Sequence, residues 1–488
     1  MPKPSLLAVA AAAAAAGAVL RARALEGWLG ALDSDEAVWG LMARHVLDAE
    51  VSAFYWGQSY GGTQEVFLSA GLFAAAGSSA WTLRAVPLLL AVAAVILVWR
   101  IGLRLLDERR AVFAASLFWV WPAYVVWKST RAHGFYGAGL VLSLLVVLLV
   151  LRLDERRRVL DAAAFGLAGG LAWWATPQTA LIAVPAVAWL GWRRRRRLLA
   201  LWPAVPAAVV GATPWLVSNL THDWWSFELA PGGGSYGSRL RGFFTATLPT
   251  AVGLRIPFSL EWVGGAAVGG AVLLALYLLG AVVLIRRRGE LGPLVAVVAA
   301  FPFLYAASSF TWLVEEPRYV YLLAPVLALV IAASLTRLPL ALAALALAAG
   351  LSALGLERMG EAERFRTRTG GTAVPPDLSP VFDVLRRAGV EHAFADYWIA
   401  HRLSFESDER VIGAKTPSDG RLVRRGDVVL AAPGESRYPP HDAIVRQAPA
   451  PAFVYVAGAR DYERAAPRLR LAGYRETAAG GFVVFTRR

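Results

Sequence analysis

At 488 residues, 57% of them hydrophobic, the chain is too apolar for a soluble domain, where about half the residues are apolar. Its net charge of +14 does not point to nucleic acid, because the arginines cluster between long apolar runs, as cytoplasmic loops of membrane proteins require. The absence of cysteine excludes disulfides and thiolate metal sites, and six histidines without ligand spacing argue against zinc.

Runs of about 18 or more apolar residues read as membrane spans. Eleven are predicted, near 5–20, 84–106, 111–127, 134–151, 160–175, 178–192, 198–217, 262–285, 291–313, 319–335 and 338–356. The first, bracketed by Lys3 and by Arg21 and Arg23, has the shape of a signal peptide. It is kept as an uncleaved span, because a cytoplasmic N-terminus then places every dense arginine cluster inside. These clusters are Arg104–Arg110, Arg152–Arg158, Arg193–Arg197, Arg286–Arg288 and Arg337. The Arg- and Ala-rich bias suggests a GC-rich bacterial genome, so the expected location is the bacterial cytoplasmic membrane. Residues 1–356 form an all-α polytopic domain with long outer loops at about 21–83 and 218–260. Residues 357–488 lose the apolar runs and read as a small extracytoplasmic α/β domain. They show a helix at Ser379–Ala388 and strands at Asp427–Ala432, Phe453–Ala457 and Gly481–Thr486.

The first outer loop opens with Asp33-Ser34-Asp35-Glu36 ahead of a helix over Glu36–Leu47. Two readings stand side by side: an N-cap with acids at the helix dipole, or a general base or metal-binding acid at the membrane surface. An aromatic stretch from Phe54 to Tyr60 suits an interfacial belt. Glu65 then enters an apolar helix, which is expensive unless it has a partner or a job. Before the fourth span stand Lys128, Arg131 and His133; a lone interfacial histidine is more often a hydrogen-bonding group than a ligand. The second long loop holds Trp224, Trp225, the flexible Pro231–Gly234 stretch, Arg239, Arg241 and Arg255. Arg318 follows Glu315 and Glu316 at the start of the tenth span. Lys128, Arg131, Arg255 and Arg318 are cations on the face where cations are scarce. A phosphate ligand explains them, and so does snorkelling or pairing with a nearby acid.

The order of these motifs resembles the GT-C polyprenyl-phosphate-dependent glycosyltransferases, bacterial members related to protein O-mannosyltransferases and to the lipid A aminoarabinose transferase. The residues carrying the resemblance are Asp35-Glu36, Trp56-Gly57-Gln58-Ser59-Tyr60-Gly61-Gly62, Glu65, Leu83-Arg84-Ala85-Val86-Pro87 and Glu316-Pro317-Arg318-Tyr319 through Pro325. The resemblance implies transfer of a sugar from a polyprenyl phosphate to a glycan, lipid or protein acceptor, with inversion. It implies Asp35 as general base and Glu65 as a second catalytic acid. Arg318 and Tyr319 would stand at the donor phosphate, with Arg131, Lys128, His133, Arg255, Glu36 and Tyr60 completing the binding set. Relatives often carry an acid where this chain reads Lys128-Ser129-Thr130-Arg131-Ala132-His133. No cofactor is therefore expected; a divalent metal is allowed but not favoured. The rival reading is a transporter or flippase for a lipid-linked glycan. Such a protein would bury charges mid-span, and this chain keeps its acids at the outer surface. A sensor with an external binding domain would not need acids in the first loop.

Overall fold

The computed structural model describes residues 4–156, 158–195, 201–228, 232–311, 313–335, 337–417 and 419–487. Part of the Arg193–Arg197 cluster, the start of the 198–217 run, and Pro231 lie outside the described residues. Five helices are long and apolar enough to cross a membrane. They are α1 (Pro4–Ala24), α4 (Ala80–Leu105), α7 (Tyr136–Glu155), α12 (Ala266–Arg286) and α15 (Leu338–Glu361). Between α1 and α4 lie α2 (Ser34–Leu47) and α3 (Gln64–Ala76). The other apolar runs form shorter helices or broken pairs. The 111–127 run becomes α5 (Glu108–Val120) and α6 (Ala123–Lys128), divided at Pro122, which has no N–H to continue the ladder. Next come α8 (Val159–Ala175) and α9 (Ala180–Arg193), then the pair α10 (Ala204–Gly211) and α11 (Thr213–Thr221), interrupted just before Pro214. The last are α13 (Pro293–Ala307) and α14 (Ala324–Ser334). The chain is a multi-pass membrane protein. Leu274, Leu278, Val282 and Ile285 of α12 are exposed at helical spacing, an apolar stripe suited to lipid. Segment α1 is part of the bundle: Ala13, Leu20 and Ala24 sit in its core. Its buried Arg21 donates to Ser129 Oγ (3.0 Å) and the Trp119 carbonyl (2.9 Å).

The two ends of the bundle differ. At one end, three arginine-rich loops meet through the pairs Arg104–Glu155, Arg152–Asp161 (2.5 Å) and Arg194–Asp154 (2.6 Å). The opposite end carries α2, α3 and the C-terminal domain. That domain contains α16 (Ser379–Ala388), α17 (Tyr397–Glu406), α18 (Pro439–Gln447) and α19 (Arg460–Leu471). The five strands of its main sheet are β1 (His392–Ala395), β2 (Ile412–Lys415), β3 (Ala452–Val456), β4 (Arg475–Ala479) and β5 (Phe482–Thr486), in sheet order β2-β1-β3-β5-β4. Strands β1, β2 and β3 run parallel, and β5 is antiparallel to both β3 and β4. All five β3 residues are buried, as a central strand covered on both faces requires. Gly480 and Gly481, both at positive φ, form the two-residue turn of the β4–β5 hairpin.

Helix α17 packs on α2. Gly40 makes the close approach possible: a Cβ there would lie 2.2 Å from the Phe405 ring. Arg44 Nη2 donates to the Phe405 carbonyl and pairs with Asp408, each at 2.8 Å. Residues 37–43 of α2 are buried throughout, pressed between α3 and the C-terminal domain.

Candidate active site

Asp33 caps α2, its Oδ1 accepting from the Glu36 amide at 2.9 Å. Its Oδ2 accepts from Arg131 Nη2 and lies 2.9 Å from His133 Nε2. Glu36, fully buried, accepts from Arg84 (Nε 3.0 Å, Nη2 2.7 Å) and the Ala132 amide (3.0 Å), and pairs with Arg131 at 2.7 Å. Arg131 also donates to the carbonyls of Leu29 (3.0 Å) and Ala31 (2.6 Å). Burial alone would push the Asp33 carboxyl up; His133 and Arg131 outweigh it and hold it well below the carboxylate range. Glu36 is likewise held low, burial being outweighed by Arg131 and Arg84. The cap reading therefore holds for Asp33, and Asp33 and Glu36 also build an ion-pair lattice with Arg131.

Asp35 points elsewhere. Its Oδ1 accepts from the Tyr397 hydroxyl of the C-terminal domain, and its Oδ2 accepts no hydrogen bond among the described residues. Arg437 lies 5.7 Å from the Tyr397 ring, and its charge reaches Asp35. The Tyr55 hydroxyl holds the Asp35 backbone carbonyl.

Lys128, at the end of α6, joins the acids to the cations. Its Nζ donates to His133 Nδ1 at 3.0 Å, so His133 presents Nε2–H to Asp33. Burial, with Lys128 beside it, lowers the His133 pKa. The Lys128 ammonium lies 4.5 Å from the Tyr136 ring and feels the charges of Glu316, Arg318, Asp33 and Asp35. Arg318 Nε donates to Glu316 at 2.5 Å, and Glu316 also accepts from Tyr124 at 2.9 Å. The pair is made with Glu316; Glu315 is exposed. Tyr319 is half-buried beside Arg318, and Tyr60 sits at the surface with its ring edge-on to Phe135 at 6.2 Å.

Glu65, Lys128, Arg131, His133, Tyr136 and Tyr321 line a small, narrow cleft. Glu65 accepts from the Ala138 amide at 2.7 Å, capping the start of α7 from another helix. Burial pushes its carboxyl up to about 8, so it is neutral at pH 7. That is how the acid enters an apolar helix: it sheds its charge and takes an orphan amide. Arg255 packs on Trp262 at 4.2 Å within the second long loop; among the described residues it joins no hydrogen bond with the cluster.

Sequence reasoning missed Tyr397, Arg437, Tyr124 and the role of Glu316. Tyr397 stands 362 positions from Asp35, so no spacing could connect them. Arg84 had a signal, since it stood inside a quoted motif, but its partner Glu36 was not legible.

A fold of this kind, with acids after the first span, a basic segment before the α7 span and an Arg-Tyr near the bundle's end, is the GT-C fold. Residues 66–218 match the family model of dolichyl-phosphate-mannose-protein mannosyltransferases. ArnT from Cupriavidus metallidurans bound to undecaprenyl phosphate superposes with TM-score 0.63 at 12% identity, over 98% of this chain and 97% of that one. Its apo form gives 0.61 at 13%, over 96% and 97%. The archaeal oligosaccharyltransferase AglB from Archaeoglobus fulgidus, in complex with an inhibitory peptide and a dolichol-phosphate, gives 0.53 at 13%, over 99% of this chain and 74% of that one. No curated protein sequence matches the chain. The chain thus shares the GT-C fold of ArnT and AglB, and residues 66–218 match the mannosyltransferase family model, in line with the resemblance read from its motifs.

Proposed function

We propose that this chain is a membrane glycosyltransferase that moves a sugar from a polyprenyl-phosphate donor to an acceptor hydroxyl on a glycan, lipid or protein. The observation that carries the reading is that Lys128, linked through His133 to Asp33, also lies within charge reach of the Arg318–Glu316 pair. ArnT and AglB, with the same fold, bind undecaprenyl phosphate and dolichol-phosphate, which supports a lipid-phosphate donor. In the proposed reaction the acceptor oxygen attacks the anomeric carbon as the sugar–phosphate bond breaks, inverting that centre. The leaving phosphate needs positive charge and no acid; Lys128 and Arg318 supply it. Asp35 takes the acceptor's proton. Of the three first-loop acids, it keeps a carboxylate oxygen unbonded among the described residues, whereas Asp33 and Glu36 are fully engaged with their cations. Asp33 sets the field and holds Arg131 and His133. Asp33, Glu36 and His133 converge closely enough to hold a metal, but the Arg131 guanidinium already bonds both carboxylates. A divalent ion would have to displace it, so we assign the charge role to arginine and lysine. The arginine-rich end is taken as cytoplasmic, which puts the site and C-terminal domain on the outer face.

The test is transfer of labelled sugar from a polyprenyl-phosphate donor in membranes carrying the native acceptor. Asp35→Asn keeps size and should lower turnover by about a hundredfold or more, the scale of a lost general base, with thermal stability unchanged. Asp33→Asn should instead lower stability, because it strips a counter-charge from Arg131. Full transfer by Asp35→Asn with none by folded Asp33→Asn would move the base to Asp33.

A further inference from the structure

About ten residues along α2 from Asp35, a second cluster joins the bundle to the C-terminal domain. His45 Nε2 lies 3.0 Å from Glu409 Oε1, and His441 Nε2 lies 3.1 Å from the same oxygen. The three ligand atoms all fall within 4.8 Å of one another. We propose that His45, Glu409 and His441 form a zinc site that clips the C-terminal domain to α2.

Three features point to a cation. Firstly, His45 already carries an outer carboxylate partner. His45 Nδ1 faces Glu50 at 2.7 Å, so both its nitrogens meet carboxylates. Without a metal the ring must be charged, whereas a metal on Nε2 leaves the neutral ring with Nδ1–H on Glu50. That is the carboxylate–histidine–zinc arrangement, which fixes the tautomer and orients the ligand. Tyr438 donates to the same Glu50 oxygen at 2.8 Å and stacks on Trp56 at 4.0 Å, which holds the outer carboxylate in place. Secondly, His441 is 4% exposed, and its Nδ1 has no partner among the described residues. Its Nε2–H donates to Glu409, so Nε2 is aimed at the point where the other ligands converge, and a metal there would move the proton to Nδ1. Thirdly, the charges balance. Arg44 is matched by Asp408, which leaves Glu50 and Glu409 facing two neutral imidazoles and one divalent ion.

The donor set is two imidazoles and a carboxylate, which suits zinc and leaves a fourth position for water or the second Glu409 oxygen. Tetrahedral bonds of about 2.0–2.2 Å put ligand atoms roughly 3.4 Å apart, so the two contacts to Glu409 need to open by only a few tenths of an ångström, and the two histidine nitrogens, within 4.8 Å of each other, adjust to the same spacing. The ligands lie at positions 45, 409 and 441, so no sequence spacing could reveal them.

The experiment uses the full chain, purified in detergent and stripped with chelator. Zinc content, thermal unfolding with added zinc, and visible absorption after cobalt addition are read on the wild type, His441→Ala, Glu409→Gln and His133→Ala. We expect about one zinc per wild-type chain, a rise in Tm on adding zinc, and tetrahedral cobalt bands. His441→Ala and Glu409→Gln should lose all three signals, and His133→Ala should keep them. The cobalt spectrum of the wild type requires no variant to fold. A wild type that takes up neither metal and shows no Tm response would overturn the proposal and leave an ion-paired latch. Metal lost only in His133→Ala would overturn it by placing the ion in the acid cluster near Asp33.

Discussion

Arg131 touches Asp33, Glu36 and two backbone carbonyls, so it is fixed before any substrate arrives; Arg318 is different. Among the described residues its guanidinium is bonded through Nε and Nη2 to Glu316 alone, and its side chain is 36% exposed. A phosphate reaching Lys128 can take the free edge of that fork. Arg318→Ala should therefore weaken donor binding roughly tenfold or more, the scale of a lost charge-assisted hydrogen bond, and Lys should restore part of it. The double variant Glu316→Gln/Arg318→Ala removes the stranded carboxylate. If it binds polyprenyl phosphate as the wild type does, Arg318 serves only its pair. Glu65 makes a separate prediction. The folded protein keeps the Glu65 proton up to about pH 8, whereas the unfolded chain releases it near 4.5. Between these values folding takes up a proton, so stability falls as pH rises. Glu65→Gln keeps the oxygen that accepts from Ala138 and cannot ionise. Its Tm should fall less than that of the wild type between pH 5 and 8, and parallel curves would refute the assignment. The acids at 33, 35 and 36 were legible as either a helix cap or a site, and Glu65 as an expensive residue entering an apolar helix. Their division of labour was not, because it depends on which oxygens remain unbonded.

At the scale of elements, local signals carried far. The helix expected at Ser379–Ala388 has those bounds, because Gly389 ends it in the left-handed conformation. The strand expected at Phe453–Ala457 lies one residue earlier, at Ala452–Val456. The broken spans were less legible: hydropathy averages over Pro122 and Pro214, whereas the backbone stops there. The docking of α17 on α2 was not legible at all, since it depends on a glycine that reads as an ordinary helix residue. Gly40 is the weak point of that contact. Gly40→Val would drive its side chain into Phe405, and overpacking of this kind costs about 1–3 kcal/mol. The C-terminal domain should loosen from α2 while the bundle stays folded. Limited proteolysis should then cut between α15 and β1 faster than in the wild type. Transfer should fall as well, since Tyr397 would leave Asp35. A Gly40→Val protein with wild-type proteolysis would show that the contact accommodates the larger side chain and does not depend on Gly40.

At the scale of the molecule, the topology follows from two opposed ends. Arg104, Arg152, Arg193 and Arg194 find carboxylates at one end, and α2, the acid cluster and the C-terminal sheet occupy the other. The buried Arg21 belongs to the second end and does not disturb the sorting, because its bonds run to Ser129 and to backbone carbonyls within the bundle. Cytoplasmic loops gather arginine, and a net excess near span ends fixes orientation. Only five helices span by length alone, so hydropathy leaves the parity of the crossings open, and the arginines decide it. A reporter after Arg195 and another at the C-terminus should lie on opposite faces, the first accessible from the cytoplasm. Cysteines placed singly at these points suit the experiment, since the chain has none of its own to react with an impermeant label. Labelling from outside the cell should mark the C-terminal position and spare the one after Arg195. Labelling of both would mean an even number of crossings between them, and the acid cluster would then face the arginine-rich side.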